Sequence, residues 1–134
     1  MGSIAQTIET IVGSSQVTPY EQLVEPLKER IGSAIAPATQ PACVAFPTTV
    51  EQLAEVVACA HQNQWRLLPC GHGSKLDWGA LVSGADLVVS AQNLTDIIEH
   101  AAGDLTLTAQ AGVRFADVQA ELLHTNQFLA IDPA

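Results

Sequence analysis

The sequence predicts an α+β domain, and three observations lead to that reading. A strand, an amphipathic helix and a second strand follow one another between Cys43 and Leu68. A two-glycine loop, Cys70-Gly71-His72-Gly73-Ser74-Lys75, comes directly after them. The strands expected beyond the loop, as far as residue 110, have no helix between them.

A chain of 134 residues, 48% hydrophobic, can bury a real core, and its length corresponds to one domain. Five basic residues against 14 acidic ones give a net charge of −9. That balance repels a phosphate backbone and offers no basic stripe for nucleic acid or anionic lipid. An acidic protein can still hold an anionic cofactor if backbone N–H groups rather than side-chain cations bind it. Cys43, Cys59 and Cys70 are odd in number and widely spaced, which indicates neither a disulfide framework nor a zinc ribbon and fits a reducing compartment. His61, His72, His100 and His124 form no HxxxH or HExxH pattern, so no metal site is expected. The N-terminus lacks a basic n-region and a long apolar run, and Gln6 breaks the myristoylation pattern that Gly2 would begin. The expected location is cytoplasmic, or peripheral to the membrane through partner subunits.

Residues 1–37, rich in Ser, Thr, Gln, Ala and Pro, read as a partly helical leader packed loosely on the domain that follows. Within it Pro26 splits the stretch from Tyr20 to Ile31 into at most two short helical pieces. The domain is expected to begin at residue 38, and from Cys43 the pattern sharpens. Cys43-Val44-Ala45-Phe46 is a short apolar strand ended by Pro47, and Thr48-Thr49-Val50-Glu51 has the form of a capping box. The helix it opens places Val50, Leu53, Ala54, Val57 and Ala60 on one face and Glu51, Gln52, Glu55 and Gln62 toward water. Trp65-Arg66-Leu67-Leu68 is the second strand, and a crossover of this length joins parallel strands. Strands are then predicted at Asp86–Ser90, Ile97–His100 and Leu105–Gln110. A helix from Arg114 to about Thr125 follows, with Phe115, Val118 and Leu122 on one face and Asn126 suited to the left-handed turn after it. Phe128–Ile131 closes the pattern as a strand.

Chemistry concentrates in the glycine loop. Without Cβ atoms, Gly71 and Gly73 can adopt positive φ and present successive N–H groups to an anion, for which a diphosphate is the natural guest. Ser74 adds a hydroxyl donor and Lys75 a cation at the rim. Local pattern alone also allows a simple turn. The Rossmann fingerprint fails because Leu76 occupies its third glycine position and no helical pattern follows, and the P-loop fails because Gly73 is followed by Ser74 and only then Lys75.

The order of strand, Thr-Thr-Val-Glu helix, strand, Pro-Cys-Gly-His-Gly-Ser-Lys loop, strands, and a helix leading to Ala-Ile-Asp-Pro-Ala resembles flavoproteins of the vanillyl-alcohol oxidase type, with their PCMH-type FAD-binding domain. More narrowly, Gly71 to Gly79, GHGSKLDWG, resembles a segment of the FAD-binding subunit of bacterial glycolate oxidase (glycolate dehydrogenase), the GlcE type. The resemblance covers residues 38–134. It implies a PCMH-type fold comprising the first βαβ subdomain and the start of the second. It also implies that Gly71, His72, Gly73, Ser74 and Lys75 line the FAD diphosphate and that the segment at Asp132-Pro133 lies beside the cofactor, which makes Pro133 a further binding residue. His72 stands in the middle of the usual glycine triplet. Relatives that tether FAD through histidine do so at the position that Gly73 fills here, so the expected FAD is non-covalent.

The family domain continues past its Asp-Pro segment, so this chain is expected to be a truncated product or an excised fragment holding half of the site. FAD binding by the chain alone is accordingly expected to be weak or absent. No catalytic base, nucleophile or triad is identified, as expected when the flavin ring performs the hydride step. Trp78 reads by default as a loop residue packed over the domain, Arg114 as solvated, Trp65 as core, Cys70 as a small residue at a strand end, and His61, His100 and His124 as surface or satisfied core residues. The function implied is FAD binding within a glycolate-type 2-hydroxy-acid oxidoreductase, with a second flavoprotein subunit and an iron–sulfur subunit as partners. The alternative is a non-catalytic, truncated module of the same fold.

Overall fold

The computed structural model describes residues 2–37 and 39–131, which fall into two compact units, Met1–Asn93 and Leu94–Ala134. The first unit is built on a four-stranded sheet in the order β1-β2-β4-β3. Its strands are β1 (Val17–Pro19), β2 (Cys43–Ala45), β3 (Leu67–Cys70) and β4 (Leu87–Ser90). As the strand–helix–strand pattern requires, β2 and β3 run the same way, but they are not neighbours. β4 lies between them and pairs parallel with both, with Val44 and Leu68 each opposite Val88. β1 closes the other edge, antiparallel to β2.

Alternation along the strands sorts the core onto two faces. Cys43 and Ala45 of β2 and Leu87 and Val89 of β4 join Ile8 and Val12 of α1 (Ile4–Val12) and Val56 of α3 (Val50–Gln62). On the opposite face Val44, Leu68 and Val88 pack with Tyr20, Leu23 and Ile31, the last from α2 (Leu27–Ala34). The helices therefore cover both sides of the sheet, α1 and α3 on one and α2 on the other.

This arrangement corrects the reading of residues 1–37 as a loosely packed leader. α1 starts with a full capping box, in which the Ser3 hydroxyl accepts from the Gln6 N–H at 3.2 Å and the Gln6 side-chain oxygen accepts from the Ser3 N–H at 2.9 Å. Ile8 and Ile31 are fully buried, each stabilising the unit by about 1.5–3 kcal/mol, and β1 is a strand of the sheet. Pro26 does divide its stretch in two, a 3-10 turn at Tyr20–Gln22 and α2.

Helix α3 has the expected period but a different phase. Val56 and Ala60 are buried and Leu53 and Cys59 pack beside them, whereas Val50, Ala54 and Val57 face water. Its cap is also displaced by one residue. Thr49, not Thr48, is the N-cap and accepts from the Gln52 N–H at 3.2 Å, while Gln52 reaches back to the Thr48 N–H at 2.9 Å.

In the second unit β5 (Ile97–Ala101) pairs antiparallel with β6 (Thr106–Ala109), and α4 (Phe115–Leu123) buries Val118 and Leu122. Asn126 takes the left-handed conformation at φ 58°. No strand forms at 128–131, contrary to expectation. The Gln119 side chain occupies both ladder groups of Leu129, donating to its carbonyl at 2.9 Å and accepting from its N–H at 3.0 Å. No helix among the described residues is long and apolar enough to cross a membrane.

Candidate functional site

The glycine loop leaves the C-terminal end of β3 and runs to a 3-10 turn at Leu76–Trp78. Three successive carbonyls anchor it to the first unit. Cys70 O accepts from the Ala91 N–H at 2.8 Å, Gly71 O from the Ser90 hydroxyl at 2.8 Å, and His72 O from the Arg30 guanidinium at 3.3 Å. Gly73 then turns the chain at φ +79°, a conformation that glycine reaches at no steric cost. It is buried beneath α2, where an added Cβ would stand 3.1 Å from Leu27 Cδ1 and 3.7 Å from Arg30 Cδ. Of the two glycines expected to use positive φ, only Gly73 does so.

Beyond the anchors, the N–H groups of Gly73, Ser74 and Lys75 meet no acceptor among the described residues. A run of unsatisfied N–H groups at a positive-φ turn is the arrangement that binds anions. With no side-chain charge needed, it suits a diphosphate on a protein of net charge −9. This donor set is what FAD would require of the loop.

A cleft of about 320 Å³ opens between α2 and the loop, lined by Glu29, Arg30, Ser33, Gly73, Ser74 and Asp77. Lys75 is not among its walls. The Lys75 ammonium stands 4.5 Å from the centre of the Trp78 ring, a cation–π contact. Trp78 is 72% exposed rather than packed over the domain, which corrects the default reading of that residue. Pro133 lies outside the described residues.

Arg30 and Ser90 were missed in the sequence. Arg30 is 42 positions from the carbonyl it holds, and no local pattern carries such a contact. Ser90 did leave a signal, as the polar end of the otherwise apolar run Leu87–Ser90, and it is the one buried polar residue among the described residues. Its hydroxyl is satisfied on both sides, donating to Gly71 O and accepting from the Gln92 N–H at 3.3 Å. Burial pushes the neighbouring Cys70 thiol up, only partly offset by the Ser90 hydroxyl, so the residue behaves as packing rather than as a reactive thiolate.

The remaining candidates take structural places. Trp65 packs against the α1–α3 face, and Arg114, His61 and His124 are exposed. His100 is 8% exposed in its side chain, hydrogen-bonded to Gln127 at 3.0 Å with Glu121 3.7 Å away. Among the described residues no three His, Cys, Asp or Glu side chains are placed to share a metal ion.

Comparison with known proteins bears on the family and the fold. The family model described as FAD binding domain matches residues 41–134. Curated relatives include the D-2-hydroxyglutarate dehydrogenases of Xanthomonas citri pv. viticola and Stutzerimonas stutzeri. The first is 34% identical over 73 residues, covering 54% of this chain and 16% of the relative; the second is 32% identical over 82 residues, covering 61% and 18%. The chain thus spans less than a fifth of the length of these relatives. Among solved structures, 4-ethylphenol oxidase from Gulosibacter chungangensis shares the fold at a TM-score of 0.78 and 16% identity over 98% of this chain and 26% of its own. p-Cresol methylhydroxylase does so at 0.69 and 19%, over 92% and 24%. With more than half of its length matched by that family model, and with PCMH-type flavoproteins as its fold neighbours, the chain belongs to the FAD binding domain family, and its cofactor is FAD.

Proposed function

We propose that this chain supplies the lobe that grips the FAD diphosphate in a flavin-dependent 2-hydroxy-acid oxidoreductase. The observation that carries the reading is the row of N–H groups at Gly73, Ser74 and Lys75, directly behind a strand–helix–strand unit and without acceptors among the described residues. Neutral donors fixed by carbonyl anchors bind a dianion with little reorganisation, because the loop is already shaped before the ligand arrives. Ser90 and Ala91 hold the first two anchors from the end of the central strand. Gly71 and His72 serve as backbone, and Ser74 adds its hydroxyl. FAD would be held non-covalently, since Gly73 has no side chain at the tethering position.

The substrate class is supported by the D-2-hydroxyglutarate dehydrogenase relatives and by the resemblance of Gly71–Gly79 to the glycolate oxidase segment. Both names specify 2-hydroxy acids, and glycolate is the reading we favour. The bound flavin would accept a hydride from the α-carbon of the acid. A second flavoprotein subunit and an iron–sulfur subunit are the proposed partners, receiving the electrons in turn.

Competition for flavin tests the assignment of the lobe. FAD fluorescence anisotropy should rise weakly on titration with the purified chain and fall when ADP competes, while adenosine, which has no phosphate and does not fluoresce in the flavin band, leaves it unchanged. Competition by adenosine equal to that by ADP would overturn the diphosphate assignment. In the flavin-loaded enzyme assembled with its proposed partner subunits, the loss of flavin absorbance on adding glycolate but not a 3-hydroxy acid checks the substrate class.

A further inference from the structure

The cation of the loop's cleft is Arg30, from the segment whose sequence gave no sign of belonging to a site. Two of its neighbours there, Glu29 and Asp77, carry negative charge, so the cleft itself would repel a phosphate. Arg30 spends a guanidinium N–H on the His72 carbonyl instead. In a planar trans peptide the C=O and the following N–H point in opposite directions. Drawing the His72 oxygen toward α2 therefore turns the Gly73 N–H away from α2 and out of the acidic cleft. The stem of Arg30 and the side chain of Leu27 lie against Gly73 from the side where a Cβ would stand, at 3.7 and 3.1 Å from that position, and so pack the turn against α2.

We infer that Arg30 is a positioning residue for the diphosphate site: its hydrogen bond to the His72 carbonyl sets the direction of the Gly73 N–H that meets the cofactor. This rests on the reading of residues 73–75 as the diphosphate donors. It couples α2, outside the 41–134 stretch shared with the FAD binding domain family, to the affinity of the loop.

Amide NMR spectra of the full chain, with and without ADP, test the inference in the wild type, Arg30→Ala and Arg30→Lys. The side chain is exposed, so both variants should keep the dispersed spectrum of the folded protein. Arg30→Ala should move the Gly73 amide resonance in the ligand-free protein and weaken ADP binding by about three- to tenfold, the range to which a hydrogen bond of ordinary strength converts. Arg30→Lys keeps a donor within reach and should restore part of both. If ADP perturbs residues 73–75 equally in the wild type and in Arg30→Ala, with the ligand-free Gly73 resonance unmoved, the positioning role is wrong while the site reading stands. A loss of affinity with an unmoved Gly73 resonance would make Arg30 a distant charge and also overturn the role. If ADP leaves 73–75 unperturbed in the wild type, the site reading itself fails and the inference with it.

Discussion

The hydroxyl of Ser90, at the end of the central strand, donates to the carbonyl of Gly71 at 2.8 Å and so ties the first glycine of the loop to the middle of the sheet. Replacing it with alanine leaves the Gly71 carbonyl and the Gln92 N–H short of a partner in a half-buried place. Ser90→Ala should cost about 1–3 kcal/mol, read as a lower thermal midpoint, with faster amide exchange across residues 71–75.

Gly73 and Gly79 lie six positions apart in the same loop region and should respond oppositely to alanine. At Gly73 the positive φ and the packing against Leu27 should cost about 1–2 kcal/mol. At Gly79, where φ is −105° and a Cβ meets nothing within 4 Å, the change should stay within about 0.5 kcal/mol. Chemical denaturation of the two variants compares them directly.

Arg66 and Asp86 join the starts of β3 and β4 through two side-chain hydrogen bonds of 2.9 and 3.0 Å and a 2.7 Å bond from the Arg66 backbone N–H. The hydrogen bonds from Arg66 hold the Asp86 carboxyl below its ordinary value of 3.8. A carboxylate shifted this way contributes stability above its unfolded pKa and loses it as pH falls through the folded one. The acid limb below about pH 4 should therefore steepen in the wild type and flatten in Asp86→Asn. Asp86→Asn should also be about 1 kcal/mol less stable at neutral pH, a modest figure because Arg66 is more than half exposed and water screens the pair.

Val56 and Val57 test the phase of α3. Val56→Ala removes two fully buried methyl groups and should cost about 2 kcal/mol, whereas Val57→Ala, on the wet face, should stay within about 0.5 kcal/mol. Urea unfolding separates the two.

That helix illustrates what the sequence conveyed. Apolar residues at positions 50, 53, 54 and 56–60 cover more than half of the helix circumference, so periodicity established a helix but two adjacent faces competed for the core. The choice between them was made by α1, which packs on Val56 from a segment that composition alone marked as peripheral. The strand–helix–strand unit and the loop after it were legible because each rests on local spacing. The place of β4 between β2 and β3 was not read, although its four residues, all buried, carry the continuous apolar run of a central parallel strand. At Phe128–Ile131 the β-forming composition lost to one glutamine, since Gln119 answers both backbone groups of Leu129. At the loop, the sequence pointed to the glycines and to Lys75, but anchoring depends on Arg30 and Ser90, whose contacts span 42 and 19 positions and follow only from the fold.

The central claim is that the backbone of residues 73–75 receives the FAD diphosphate. An amide-resolved NMR titration of the isotope-labelled chain with FAD tests it most directly, since weak binding in the millimolar range is visible there. The expected result is saturable movement of the Gly73, Ser74 and Lys75 amide resonances, larger than any elsewhere in the first unit and reproduced by ADP. Resonances that stay in place at these three residues, or that move chiefly at another surface, would contradict the account.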